Sequence, residues 1–366
     1  MKMDENKRVG KVGTGLITTL LSMMLMQPLA FAKEGDAHVP GIGKIADDHW
    51  IQRLTVSGVV EAEYGSAEDY AGIKSSDVAL ATVEVAFDAK VNDKVNAHLS
   101  FLHEEDDTAY EVDEGYIDIA LGAINIQAGQ MYVPFGSYET NVISDPLTLE
   151  IGETRESVIK LGAEMGNIHA AVYMFNGSTQ ETNAEDGADQ TGASIAFVTE
   201  GKGSSMDIGF DYLSNIGDSD AIAGYLKKLT PSVTSLKSYV AAQVIHANLT
   251  FGNVHFILEQ LTTDKFDAAE IAFKTKGAEL TASNIELGYS LDIAGMESTI
   301  GLAMQTTEEA LALGLPEEKT LLALSMNIYK DTALSFEYAS STDYAIADGG
   351  TGKDATSYTV QLAVGF

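Results

Sequence analysis

No cysteine occurs anywhere in the 366 residues, proline is scarce at six, and tryptophan appears once. The missing thiols exclude a disulfide scaffold, cysteine-ligated zinc and iron–sulfur clusters. Positive charge is thin as well: 22 Lys+Arg stand against 54 Asp+Glu, a formal net charge of −32. A chain this acidic repels nucleic acid and anionic membrane surfaces, so neither is an expected partner. After residue 32 no apolar run approaches the length of a transmembrane helix. The seven histidines fall in no recognised catalytic or metal-ligating motif, and G-x-S-x-G and H-E-x-x-H are absent. No catalytic residue, cofactor or metal site is therefore expected.

What is present begins with an export signal. Lys2, Lys7, Arg8 and Lys11 form a basic start, Leu16–Met26 an apolar core too short to span a bilayer, and Ala30-Phe31-Ala32 a small-x-small cleavage site. Residues 1–32 read as a signal peptide cut after Ala32, residues 33–50 as a short periplasmic segment, and 51–366 as one folded unit. Removing the four basic and two acidic side chains of 1–32 leaves 18 Lys+Arg against 52 Asp+Glu, a net −34.

A two-residue period runs along that unit. Tyr358, Val360, Leu362, Val364 and Phe366 alternate with Thr359, Gln361, Ala363 and Gly365, and Ile285, Leu287, Tyr289, Leu291 and Ile293 with Asn284, Glu286, Gly288, Ser290 and Asp292. Leu54–Tyr64, Val83–Asp88 and Val95–Phe101 behave alike. A soluble sandwich would also alternate. Three features favour a membrane barrel: segments of about ten residues, the length of a tilted spanning strand; aromatics near segment ends at Tyr64, Phe101, Tyr116, Phe251, Tyr338 and Tyr358, as in interfacial girdles; and a final strand ending on Phe366. Short turns at Asn92-Asp93, Gly122-Ala123, Gly166-Asn167, Gly201–Gly203, Gly252-Asn253, Ala294-Gly295 and Lys330-Asp331 alternate with longer polar links. These links, at 65–76, 104–110, 133–155, 177–189, 214–236, 262–283, 306–318 and 341–355, are expected outer loops. Ala269–Thr275 could form another strand, but that would leave an odd count, so 262–283 is assigned to one loop whose helical content stays open. The expected fold is all-β: a transmembrane antiparallel up-and-down β-barrel of about 16 strands.

A barrel that wide encloses water, so passive diffusion of small solutes is the expected function rather than catalysis or adhesion. Its lumen should receive Glu61, Glu63, Glu84, Asp88, His98, Asp118, Glu286, Asp292 and Glu337, answered only by Arg53 and Lys160. That balance either favours cations or only solvates a wet wall without selectivity. The third outer loop is expected to fold inward and narrow the channel, bringing Glu139, Asp145, Glu150, Glu153, Arg155 and Glu156 to the constriction, with opposite charges adjacent at 153–156; the alternative is a surface loop outside the pore. The acidic runs Glu104–Asp107 and Glu185–Asp189 read as solvated surface charge beside lipopolysaccharide. Barrels of this width commonly form homotrimers.

The third loop also carries a resemblance. VPFG (Val133–Gly136) with YETNVISDPLTLEIGETRES (Tyr138–Ser157), and EALALGLPEE (Glu309–Glu318) after GLAMQTT (Gly301–Thr307), resemble the LbtU family of siderophore porins. The resemblance implies an outer-membrane porin that passes ferric siderophores without energy coupling. The segment Lys33–Trp50 is shorter than the N-terminal extension associated with that family, and an acidic lumen would repel polycarboxylate siderophores.

Overall fold

The computed structural model describes residues 53–105, 108–182, 185, 187–229 and 235–366; the expected signal peptide and periplasmic segment lie outside them. Sixteen antiparallel strands form one closed barrel. They are β1 (Leu54–Glu68), β2 (Lys74–Lys90), β3 (Val95–His103), β4 (Glu111–Leu121), β5 (Ile124–Tyr132), β6 (Arg155–Met165), β7 (Ile168–Phe175) and β8 (Gln190–Gly201). The second half comprises β9 (Ser204–Leu213), β10 (Ala242–Phe251), β11 (Val254–Thr263), β12 (Thr281–Ile293), β13 (Met296–Glu308), β14 (Glu318–Tyr329), β15 (Thr332–Thr342) and β16 (Asp354–Gly365). Each strand pairs with its sequence neighbours, and β1 closes on β16 from Glu68↔Thr356 to Val59↔Gly365.

The direction of the alternation identifies the solvent on each side. On β12, Ile285 and Leu287 are 55% and 43% exposed, whereas Asn284 and Glu286, alternating with them, are 0% and 1%. Val60, Val172, Ile195, Ile245, Leu302, Leu322 and Phe336 are likewise exposed around the wall. A water-soluble fold would bury that set; only lipid makes its exposure favourable. Among the described residues no helix is long and apolar enough to cross a membrane. Closure removes both edges of the barrel sheet, which satisfies its backbone where no water can.

Hairpins of two to four residues join strands at one end, and links from 69–73 to 214–241 join them at the other. Ala294 (φ 56) and Gly295 (φ 85) both take positive φ, the two-residue turn that matches strand twist. The first outer link is shorter than expected. Strand pairing continues through Gly65↔Asp77, Ser66↔Ser76, Ala67↔Ser75 and Glu68↔Lys74, leaving only 69–73 as loop. Polar residues end the membrane band, but backbone hydrogen bonds sustain the ladder above it. The region 264–280 holds a two-residue ladder, Ala272–Phe273 with Lys276–Gly277, and no helix. Among the described residues two α-helices stand in other loops: α1 (Leu147–Gly152) and α2 (Asp220–Leu229), the latter burying Ile222, Ala223 and Leu226. Tyr116 turns inward and stacks on His98 at 5.0 Å rather than joining a girdle; a bulge where Leu99/Phe101 meet β4 shifts its phase.

Candidate functional site

Segment 133–154 between β5 and β6 has almost no internal ladder, so its amides need partners elsewhere. Carboxylates on the strand faces opposite the exposed apolar set supply them. Gly136 N donates to Asp211 Oδ2 at 3.0 Å, and Ser137 N and Tyr138 N to Glu259 Oε2 at 2.7 and 3.1 Å. Thr148 Oγ1 donates to the other Glu259 oxygen at 2.5 Å. Farther along, Asn141 N donates to Glu286 Oε2 at 2.5 Å and Thr140 Oγ1 to Oε1 at 2.9 Å. Ile143 N and Ser144 N converge on Glu337 Oε2 at 2.6 and 2.9 Å, and Ser144 Oγ donates to Oε1. A carboxylate has two oxygens and no donor, and its charge shortens and strengthens such bonds. Three glutamates on β11, β12 and β15 thus clamp one strap.

Packing reinforces the clamp. Gly288 and Gly301 face each other across β12 and β13. A Cβ at Gly288 would lie 2.3 Å from Asn141 Oδ1, and one at Gly301 2.2 Å from the Asn141 carbonyl oxygen. The paired glycines form a slot into which Asn141 and Val142 fit, and Val142 then packs with Ala303, Leu321, Ala323 and Ala339. Phe135 and Ile151 join Leu213, Ile216, Ile222, Leu226, Leu261 and Leu280 in a second cluster, so the loops after β5, β9 and β11 share one apolar core over this half of the barrel. Residues 141–149 are buried, while 136–140, Glu150 and Glu153 stay partly exposed.

Burial moves the strap's acids. Glu153 is pushed up to about 8, first by burial and then by Asp220 and Asp113; Glu139 is also raised, by burial and the nearby Asp207, Glu259 and Glu286. A carboxyl raised in the folded state takes up a proton on docking. Its docking is favoured at acidic pH and weakened as pH rises from about 4.5 through about 8. Hydrogen exchange across 147–154 should therefore quicken between pH 6 and 9, each pH corrected for the intrinsic rate. Glu153→Gln should flatten that dependence, and an unchanged slope would refute the assignment.

The remaining constriction candidates are placed as follows. Asp145 is buried at the strap's turn and Glu150 lies on α1. Arg155 pairs with Glu111 and Asp113 at 2.5 and 2.6 Å. The opposite charges at 153–156 therefore do not pair with one another; Arg155 reaches β4 instead, with Tyr132 Oη also donating to Asp113 at 2.9 Å. Glu156 and Lys160 lie on β6, Lys160 opposite Gln127 and Tyr173. Asp118 accepts from Asn96 and Asn125 at 3.3 and 3.1 Å. Glu61 and Glu84 project from β1 and β2, where Glu63 accepts from Gln361 Nε2 at 2.8 Å. His98 bonds Asp88 at 2.8 Å, and His246 lies 3.5 and 3.3 Å from Asp207 and Asp211. Asp211, Glu259 and the glycine slot were not singled out from sequence. Glu259 was legible there as the polar one of the two inward members of Phe256-Ile257-Leu258-Glu259; the glycines gave no signal without the strap's position.

No family model matches the chain. It is 28% identical over 327 residues to a UPF0422 protein of Coxiella burnetii, covering 86% of this chain and 69% of the relative. It is 26% identical over 332 residues to a UPF0422 protein of Legionella pneumophila, of whose length it spans 62%. Among solved structures, the outer membrane channel DcaP of Acinetobacter baumannii aligns with a TM-score of 0.60 at 12% identity, over 86% of this chain and 97% of that one. An anion-selective porin from Comamonas acidovorans aligns with a TM-score of 0.58 at 14% identity, over 86% and 99%. The fold of this chain is that of outer-membrane porins.

Proposed function

We propose that the protein is a passive diffusion channel of the bacterial outer membrane that prefers cations. The observation that carries this reading is the charge of the inner wall. Glu61, Glu63, Glu84, Asp88, Glu114, Asp118, Asp207 and Glu286 stand against Lys160, Arg155, Lys319 and two histidines already held by carboxylates. Carboxylates lining a water-filled path attract cations and repel anions. Similarity to an anion-selective porin does not oppose this, because selectivity resides in side chains and not in the shared wall. In this reading 133–154 lies within the barrel and sets its narrowest section, residues 1–32 direct export, and three copies assemble. Purified protein in planar bilayers should give ohmic pores whose reversal potential under a KCl gradient has the sign for K⁺. A reversal of the opposite sign would sink the cation preference and leave the channel standing.

A second reading, ferric-siderophore passage, is favoured by one observation: the stretch resembling the LbtU family is the clamped strap itself. Deleting residues 138–155 should then change uptake of a ferric siderophore more than uptake of small sugars. Equal changes would leave only the general channel.

A further inference from the structure

Glu61 is 1% exposed, and neither of its carboxylate oxygens makes a hydrogen bond. The charged groups acting on it are Glu63, Glu104 and Glu84, all acidic. Thr82 lies opposite it in register, and its hydroxyl acts on the carboxylate without completing a bond of normal geometry. On the other side, β16 sets Gln361 against Glu63. The Gln361 amide nitrogen is committed to Glu63, and its Oε1 is buried with no partner. Three acceptor oxygens on adjacent strands thus have no bonded donor, with only the Thr82 hydroxyl opposite Glu61 and only acidic groups among the charges acting on that carboxylate. Buried polar groups are ordinarily satisfied, and an ionised carboxylate is costly to bury unpaired.

We propose that this patch of β16, β1 and β2 binds the protonated amine of a permeating organic cation, with Glu61 as the recognition carboxylate and Gln361 Oε1 as its second acceptor. A primary ammonium brings one positive charge and three N–H donors and no acceptor, the complement of what the wall presents. A carboxylate solute would add a fifth acid to four, and a neutral alcohol brings donors without charge. Half-buried Glu84, one step toward the short-turn end of the wall, offers the approach, followed by Asp88 at the rim. The strap's carboxylate anchors Asp211, Glu259, Glu286 and Glu337 stand on β9, β11, β12 and β15, none of them on β1 or β2.

This inference rests on the channel reading, and one bilayer experiment separates the two. The full-length processed protein is reconstituted in KCl, and 1,4-diaminobutane is titrated against the K⁺ current, with 1,4-butanediol as the neutral probe. The diamine should block and the diol should not. Glu61→Gln should weaken the block about tenfold, equivalent to about 1.4 kcal/mol. Gln361→Leu should weaken it by less, and carries the comparison if the first variant does not fold. A conducting channel that the diamine does not block, or a block untouched in both variants, overturns the amine site while the channel stands. Absence of any conductance in the unaltered protein overturns the channel itself.

Discussion

Replacing Gly301 with leucine is expected to expel the strap from its slot and raise single-channel conductance severalfold. Even the first side-chain atom would sit 2.2 Å from the Asn141 carbonyl oxygen, a backbone atom that cannot rotate away. Overpacking a filled site costs about 1–3 kcal/mol where neighbours can yield, and more where they cannot. The displaced segment would forfeit the Glu286 and Glu337 bonds on either side of the contact, since Asn141 and Ile143 are only two residues apart. Gly301→Ala tests the same contact with the least added volume and should act in the same direction. The wall should survive, because Gly301 lies within the β13 ladder at ordinary φ. Conductance and proteolytic resistance of 133–154 both unchanged in the leucine variant would show that the slot does not hold the strap.

The second large effect is expected at the seam. Phe366 N donates to Gly58 O and Gly58 N to Phe366 O, both at 3.0 Å, extending the β1–β16 closure by one residue pair beyond Val59↔Gly365. The Phe366 ring covers Gly58, where a Cβ would lie 2.7 Å from the ring's Cζ and 2.5 Å from the Glu84 carbonyl oxygen. Gly58→Val is therefore expected to obstruct closure from one side of the seam, and deletion of Phe366 to remove it from the other. Two backbone hydrogen bonds are worth about 1 kcal/mol each in net terms. The larger effect is on the rate at which an open sheet finds its last partner, because an unclosed barrel leaves two edges unsatisfied in lipid. The folded fraction, read from mobility of unheated samples on a gel, should fall sharply in both variants. Wild-type levels in both would remove the seam from the account of assembly.

Much of this fold was legible in the residues. Ile285-Glu286-Leu287 states the two-residue period directly, and Ala294-Gly295 states the turn that ends it. Sixteen strands followed because short turns and long links must alternate if both ends of a barrel are to stay on their own sides of the membrane. The first outer link was overestimated because polarity marks the border of the lipid, and Ser66 and Ser76 pair beyond it. The helix Asp220–Leu229 was hidden because its buried Ile222 and Leu226 answer to a core built by three different loops, a relation no local window contains. The site was half legible. Glu61, Glu84, Glu286 and Glu337 declared themselves as inward acids. That Glu286 clamps a strap while Glu61 lacks a donor is a matter of what lies across the lumen, and alternation is blind to it.

The strap precedes its anchors in the chain. Ser137 and Ile143 find their carboxylates 122 and 194 residues downstream, at Glu259 and Glu337. Contacts so distant in sequence form late, after the intervening chain has found its own pairings. On the proposed reading, the wall must therefore be nearly complete before the narrow section can exist, and a newly inserted barrel is expected to pass through a wide-bore stage. Leakiness to large solutes, transient and confined to nascent molecules, is then the expected cost of placing the bolt ahead of its sockets.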